Sequence, residues 1–182
     1  VANWDNNDAS MTFIEFFKEE MHRRAMTGGT MKNHKTVLHA LINFGKIVHF
    51  KDLTYANISD FDIMLRKTVK SQPVLYKRHN TLSSYIKEAI RRKLTTNNPY
   101  EEFHCKKGRS KTPLTLDEVE IKKLVDYTPT CEKLEKIRDM YLFQCMTGLA
   151  FVDMQEFNKD KVSHIDGSMV INSQRVKTDE SY

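Results

Sequence analysis

No apolar run in these 182 residues approaches the ~20 needed to cross a bilayer, which excludes a helical membrane protein. Cysteine is scarce. Cys105, Cys131 and Cys145 are too few and too far apart for a disulfide framework or a CxxC metal site, and a reducing cytoplasm is the expected compartment. The histidines, among them His22, His34, His39 and His164, show no HExxH or comparable spacing, so no metal site is expected. Val1 to Ser10 lack the basic start and apolar stretch of a secretory signal. What remains is a soluble globular composition, 40% hydrophobic and 29% charged, long enough for one domain or two small ones.

The net charge of +5 is modest, but its placement is uneven. Residues 1–30 carry −2, residues 31–113 carry +11 and residues 114–182 carry −4. A basic middle flanked by acidic ends is the pattern of a segment that follows a phosphate backbone. The alternative is a solvated helical surface. The excess spans about 80 residues instead of one short run, which favours nucleic acid.

Apolar periodicity predicts four helices in the first half. Thr12 to Glu15 has capping-box spacing, so a first helix is expected from Ser10 or Thr12, with Phe13, Phe16, Phe17 and Met21 as its stripe and Gly28-Gly29 as its stop. Thr30 is the expected cap of a second helix burying Val37, Leu38, Leu41, Ile42, Phe44 and Val48 and leaving Lys32, Lys35 and Lys46 in water. Ser59 or Asp60 is the expected cap of a third helix bearing Phe61, Met64 and Leu65. A fourth, from about Pro73 to Leu94, buries Leu75, Leu82, Tyr85, Ile86 and Ile90 and ends in Arg91, Arg92 and Lys93.

Asn97-Asn98-Pro99 breaks that helix, and the aperiodic stretch to Pro113 reads as a basic interdomain linker. Thr115 to Glu118 has capping-box spacing and opens a helix to about Asp126 with Leu116, Val119 and Leu124 inward. Cys131 to Met146 reads as an apolar core helix stopped by Thr147-Gly148, and a shorter helix follows around 152–157. The period then changes to two: 162–165 and 169–171 flank Asp166-Gly167 as a hairpin, with a third strand near Gln174.

Four basic helices, a basic linker, then Leu-Thr-Leu-Asp-Glu-Val before an apolar helix ending in Thr147-Gly148-Leu149 resemble the tyrosine recombinases, especially integrases of Bacteroidetes-type mobile elements. The most specific piece is Met146-Thr-Gly-Leu-Ala-Phe-Val-Asp153, which is similar to the family pattern TGLRxxE or TGLRxxD. The resemblance implies a mostly α fold: a four-helix SAM-like core-binding domain over 10–98, a basic linker over 99–113, and over 114–182 the N-terminal helical part of a catalytic domain with a small antiparallel β-hairpin.

It also implies chemistry. Family members cleave DNA one strand at a time through a 3′-phosphotyrosyl bond, without metal or nucleotide cofactor, using two arginines, a hairpin lysine and a histidine pair. Here the first-arginine slot holds Ala150, the hairpin lysine corresponds to Lys177, and Asp153 stands at the acidic position. Three readings of the departure at Ala150 stay open: a neighbouring base such as Arg138 substitutes, the recombinase runs on fewer contacts, or the protein is a catalytically weak relative. The HxxR motif and the nucleophilic tyrosine have no matching positions. Tyr182 reads as a strand residue and Tyr141 as core, so the chain as it stands is not expected to catalyse strand exchange.

The expected partner is double-stranded DNA at a recombination site, held by Lys32, Lys35, Lys77, Arg78, Arg91, Arg92 and Lys93 and by the linker bases Lys106, Lys107, Arg109 and Lys111. No membrane partner is expected. A monomer is expected for this length of chain, and a tetramer on DNA for the full-length recombinase. A non-catalytic helical DNA-binding accessory or regulatory protein is the competing reading.

Overall fold

The structure, a computed structural model, describes residues 11–172. It divides into two compact units between Thr112 and Pro113.

The first unit is built on four helices. α1 (Phe13–Arg23) starts at Thr12, whose hydroxyl accepts from the Glu15 N–H at 3.2 Å while the Glu15 carboxylate accepts from the Thr12 N–H at 2.8 Å. It ends at Arg23, not at Gly28-Gly29. The guanidinium of the next residue, Arg24, binds Glu20 at 2.8 Å and lies 4.2 Å from the Tyr85 ring centre, in an extended backbone that no longer continues the helix. The two glycines instead open α2 (Gly28–Phe44), where an end position carries less of the entropic cost of a helix interior. Thr27, not Thr30, precedes that helix.

α2 stops at Gly45, which holds the left-handed conformation at φ 71°. The turn breaks the helical period, so Ile47 is fully buried whereas Val48, expected inside, is 36% exposed; Ile42, also expected inside, lies within α2 and is 45% exposed. α3 (Tyr55–Thr68) begins earlier than Ser59 or Asp60 would set it. Thr54 is its cap, accepting from the Asn57 N–H at 3.3 Å, and the preceding turn is held by the Asp52 carboxylate on the N–H groups of Val48 and His49. α4 (Gln72–Arg91) carries Pro73 in its first turn.

These four helices enclose one core. Phe13, Phe16 and Phe17 from α1 meet Leu41 from α2, Phe61 and Leu65 from α3, and Leu82, Tyr85 and Ile86 from α4. The Phe17 and Tyr85 rings stack 3.6 Å apart. The chain beyond α4 stays attached to this core: Pro99 is buried, and Tyr100, Phe103 and Cys105 pack against the cluster. The Gln72 amide donates to the Lys106 carbonyl at 2.6 Å, and at Gly108 a Cβ would stand 2.7 Å from the Gln72 side chain, so this segment lies flat on the start of α4.

In the second unit α5 (Glu118–Asp126) starts two residues later than the Thr115 to Glu118 spacing suggests. Asp117 and Glu120 exchange the reciprocal cap bonds at 2.8 and 3.0 Å, the Asp117 carboxylate being the charged acceptor. Leu116 and Val119, expected inward, are exposed. α6 (Glu132–Thr147) has the predicted extent but is not a core helix: Leu134, Ile137, Met140, Tyr141 and Met146 are 40–74% exposed. Among the described residues of this unit only Leu149, Asp153 and Met154 are buried, because no further layer covers the apolar sides of α6. α7 (Phe151–Gln155) is shorter than expected. β1 (Val162–Ile165) and β2 (Ser168–Ile171) form the predicted antiparallel hairpin, with Asp166 and Gly167 at φ 50° and 79° in its turn. The strand expected near Gln174 lies outside the described residues.

Candidate nucleic-acid interface

A groove of about 210 Å³ runs between α2 and α4 in the first unit, lined by Asn33, Thr36 and Val37 from one helix and Val74, Lys77, Arg78 and Thr81 from the other. Its positions follow from helical spacing. Asn33, Thr36 and Val37 recur on one side of α2, and Val74, Lys77, Arg78 and Thr81 do so on α4. α2 contains no acidic residue, and α4 contains none before Glu88. Among the described residues no ion pair involves Lys77, Arg78, Lys32 or Lys35, so these cations are not neutralised within the fold.

The field along the groove also reaches His34. Burial, reinforced by the charges of Arg24 and Lys77, holds its imidazole below the ordinary histidine range. Its Nδ1 shares a 2.7 Å hydrogen bond with the Tyr85 hydroxyl, whose own pKa is pushed up to about 12, chiefly by burial. Chemically, the groove offers two point charges with amide and hydroxyl groups beside them, a set suited to anionic phosphate and to the polar edges of bases.

The other predicted contacts divide by what already holds them. Lys32 and Lys35 are exposed on α2, with Lys32 one turn before Thr36. At the end of α4 the three bases differ. Arg91 is 78% exposed and only loosely paired with Glu88 at 3.4 Å. Arg92 is tied inward: it binds Glu20, binds Glu88 at 3.2 Å and lies over the Phe16 ring. Glu20, 2% exposed, also receives Arg23 and Arg24. Burial alone would raise its pKa, but these guanidinium groups outweigh it and hold the carboxyl below the glutamate range. Arg92 thus fastens α4 to α1. Lys93 is exposed in a left-handed conformation at φ 61°. Lys106, Lys107, Arg109 and Lys111 are exposed, and the backbone of Lys106 is anchored by Gln72.

The Thr147-Gly148-Leu149 box forms a corner between α6 and α7. Gly148 takes the left-handed cap at φ 69°, its N–H donating to the Gln144 carbonyl at 2.8 Å. The Thr147 hydroxyl donates to the Phe143 carbonyl at 2.7 Å, and the Gln144 amide donates to the Leu149 carbonyl at 3.3 Å. Ala150 is the exposed residue that starts α7, and Asp153 is buried in its first turn. Arg138 is engaged locally, donating to the Tyr127 carbonyl at 2.7 Å and pairing with Asp139 at 2.7 Å. Tyr141, expected in the core, is 42% exposed. Lys177 and Tyr182 lie outside the described residues.

Two features escaped the sequence. Asn33, Thr36 and Thr81 are polar residues of common type, and only helix pairing brings them to one groove, although Thr36 stands four residues after Lys32 and Thr81 four and three after Lys77 and Arg78, which is a usable signal. Asp62, His79 and Cys105 come together with their ligand atoms within 4.8 Å of one another, where spacing predicts no metal-ligand cluster. Their separations in sequence follow no motif; α3, α4 and the segment after α4 assemble them.

Residues 12–109 match the model of the phage integrase SAM-like domain. No curated protein matches the chain by sequence. Among solved structures, a lambda integrase tetramer bound to a Holliday junction is similar over 98% of this chain and 52% of its own, with a TM-score of 0.76 at 20% identity. The Tn1549 transposon integrase in complex with circular intermediate DNA is similar over 95% of this chain and 58% of its own, with a TM-score of 0.72 at 12% identity. The chain spans about half the length of these relatives. Their likeness is one of fold, whereas the SAM-like match covers more than half of the sequence, and by it the chain belongs to the tyrosine recombinase family of phage-type integrases.

Proposed function

We propose that this chain is the DNA-binding portion of a site-specific tyrosine recombinase that integrates or excises a mobile element by cleaving and rejoining DNA through a phosphotyrosine intermediate. The observation that carries the DNA part is the α2–α4 groove, where Lys77 and Arg78 stand without acidic partners beside Asn33, Thr36 and Thr81. Lys32, Lys35, Arg91, Lys93 and the linker bases Lys106, Lys107, Arg109 and Lys111 extend this charge along the duplex backbone. Arg92 contributes by holding α4 on α1. The integrases of similar fold are themselves bound to DNA, which supports the same partner here.

Fluorescence anisotropy with a labelled duplex tests this reading. Affinity should fall steeply between about 50 and 300 mM salt, and the Lys77→Ala, Arg78→Ala double variant should reduce the salt slope by roughly 0.9 for each phosphate no longer neutralised. Binding that ignores salt would overturn it.

One observation favours a second reading. Ala150 puts a methyl group where the family carries an arginine, and Arg138 is committed to Tyr127 and Asp139. A non-catalytic DNA-binding accessory protein would tolerate that substitution. Lys177, in the catalytic reading, donates a proton to the leaving 5′-oxygen or neutralises the phosphate. Cleavage of a nicked suicide substrate by the full-length protein, with covalent protein–DNA product on a denaturing gel, separates the two.

A further inference from the structure

We propose that Asp62 of α3, His79 of α4 and Cys105 of the segment after α4 form a binding site for a zinc-class divalent cation, which clamps the start of the basic linker onto the helical unit. The three ligand atoms lie within 4.8 Å of one another. His79 Nε2 stands 3.1 Å from Asp62 Oδ1. Two ligands about 2.0–2.1 Å from one tetrahedral ion are separated by roughly that distance, so the ion takes the place of the proton now shared by the pair.

The surroundings suit this exchange. The other ring nitrogen of His79 bonds the Tyr100 hydroxyl at 2.9 Å, so when Nε2 carries the metal, Nδ1–H donates to that hydroxyl and the ring keeps its orientation. The second Asp62 oxygen accepts from Arg66 Nε at 2.6 Å, which fixes the carboxylate plane. The Gln72 amide lies 3.6 Å from Cys105 Sγ and bonds the next carbonyl, so the thiol sits on an anchored stretch of chain. One sulfur, one imidazole and one carboxylate select zinc over magnesium or calcium.

Access is provided. A cavity of about 370 Å³ is lined by His79, Tyr100 and Cys105 together with Asn98, whose Oδ1 is buried without a hydrogen-bond partner. Two of the three ligands, His79 and Cys105, therefore border a polar cavity able to hold water. Arg66 competes for Asp62, which makes this site weaker than one built of cysteines alone. That suits reversible occupancy: with the ion bound, Cys105 is fixed immediately before Lys106 and Lys107, and with it gone the segment is held by the packing of Tyr100 and Phe103 and by the Gln72 hydrogen bonds.

Cobalt(II) is the probe, because its thiolate complexes absorb in the near ultraviolet. Titration of the full chain should give a one-equivalent thiolate band that zinc chloride displaces. The Cys131→Ser, Cys145→Ser double variant, with Cys105 its sole thiol, should keep the band, and Cys105→Ser should lose it. Zinc at 100 times its dissociation constant should also raise the melting temperature of the double variant by several degrees. Absence of the band in the double variant, or its survival in Cys105→Ser, overturns the proposal. Neither outcome depends on DNA binding.

Discussion

Phe61 and Ile137 are both apolar residues in the middle of a helix, yet Phe61 is fully buried in the first unit and Ile137 is 52% exposed in the second. The same contrast holds along α1 and α6. Apolar composition and helical caps suffice to make a helix, but a helix becomes core only where other elements cover it. In the first unit α2 and α4 pack on α1 and α3 closes the same core, whereas the described residues of the second unit cover little more than the Leu149–Met154 corner.

The contrast is broken or sharpened most strongly by truncating those two residues. Phe61→Ala should cost about 3–5 kcal/mol through reduced burial and a cavity, against under about 1 kcal/mol for Ile137→Ala, measured by urea denaturation. Comparable costs would mean that α6 is covered in solution.

Ion pairs should divide in the same way. Glu20→Ala leaves the inward-turned Arg92 and Arg24 without their buried partner and should cost about 3 kcal/mol. Glu132→Ala, which removes an exposed pair with Lys136 in α6, should leave the denaturation midpoint unchanged. Because the folded-state pKa of Glu20 is depressed, its contribution is present above the ordinary glutamate pKa and is lost as pH falls through the lower folded value.

A smaller effect tests the part of the second unit that is local. Gly167→Ala places a side chain at φ 79° and should cost about 1 kcal/mol, seen as reduced hairpin amide protection in hydrogen exchange, with no change in α1–α4. The smallest effect concerns His34. Its folded pKa is depressed, so the unfolded chain takes up the proton more readily and stability should decline as pH drops below about 6.5. His34→Asn should flatten that decline in thermal melts of the first unit.

The sequence is legible where the physics is local. The Thr12 cap, the left-handed Gly148 and the Asp166-Gly167 turn each depend on a few adjacent residues, and all stand where the pattern puts them. It is illegible where distant residues decide. Arg24 leaves α1 for Glu20 and Tyr85, which moves the end of one helix and the start of the next. Ile47 replaces Val48 inside because the Gly45 turn resets the period. Among the candidate DNA-binding residues, charge alone draws no distinction between Arg92 and Lys77, yet one is bound to Glu20 and the other faces an acid-free groove.

By itself the sequence determined the helical first half, the hairpin, the basic middle and the departure at Ala150, since these are matters of spacing, turn chemistry and formal charge. Tertiary structure alone decided which cations remain unpaired, that the chain after α4 lies against its start, and that Asp62, His79 and Cys105 meet. Those outcomes depend on side chains from separate helices arriving within a few ångströms of one another, and no local pattern encodes that distance.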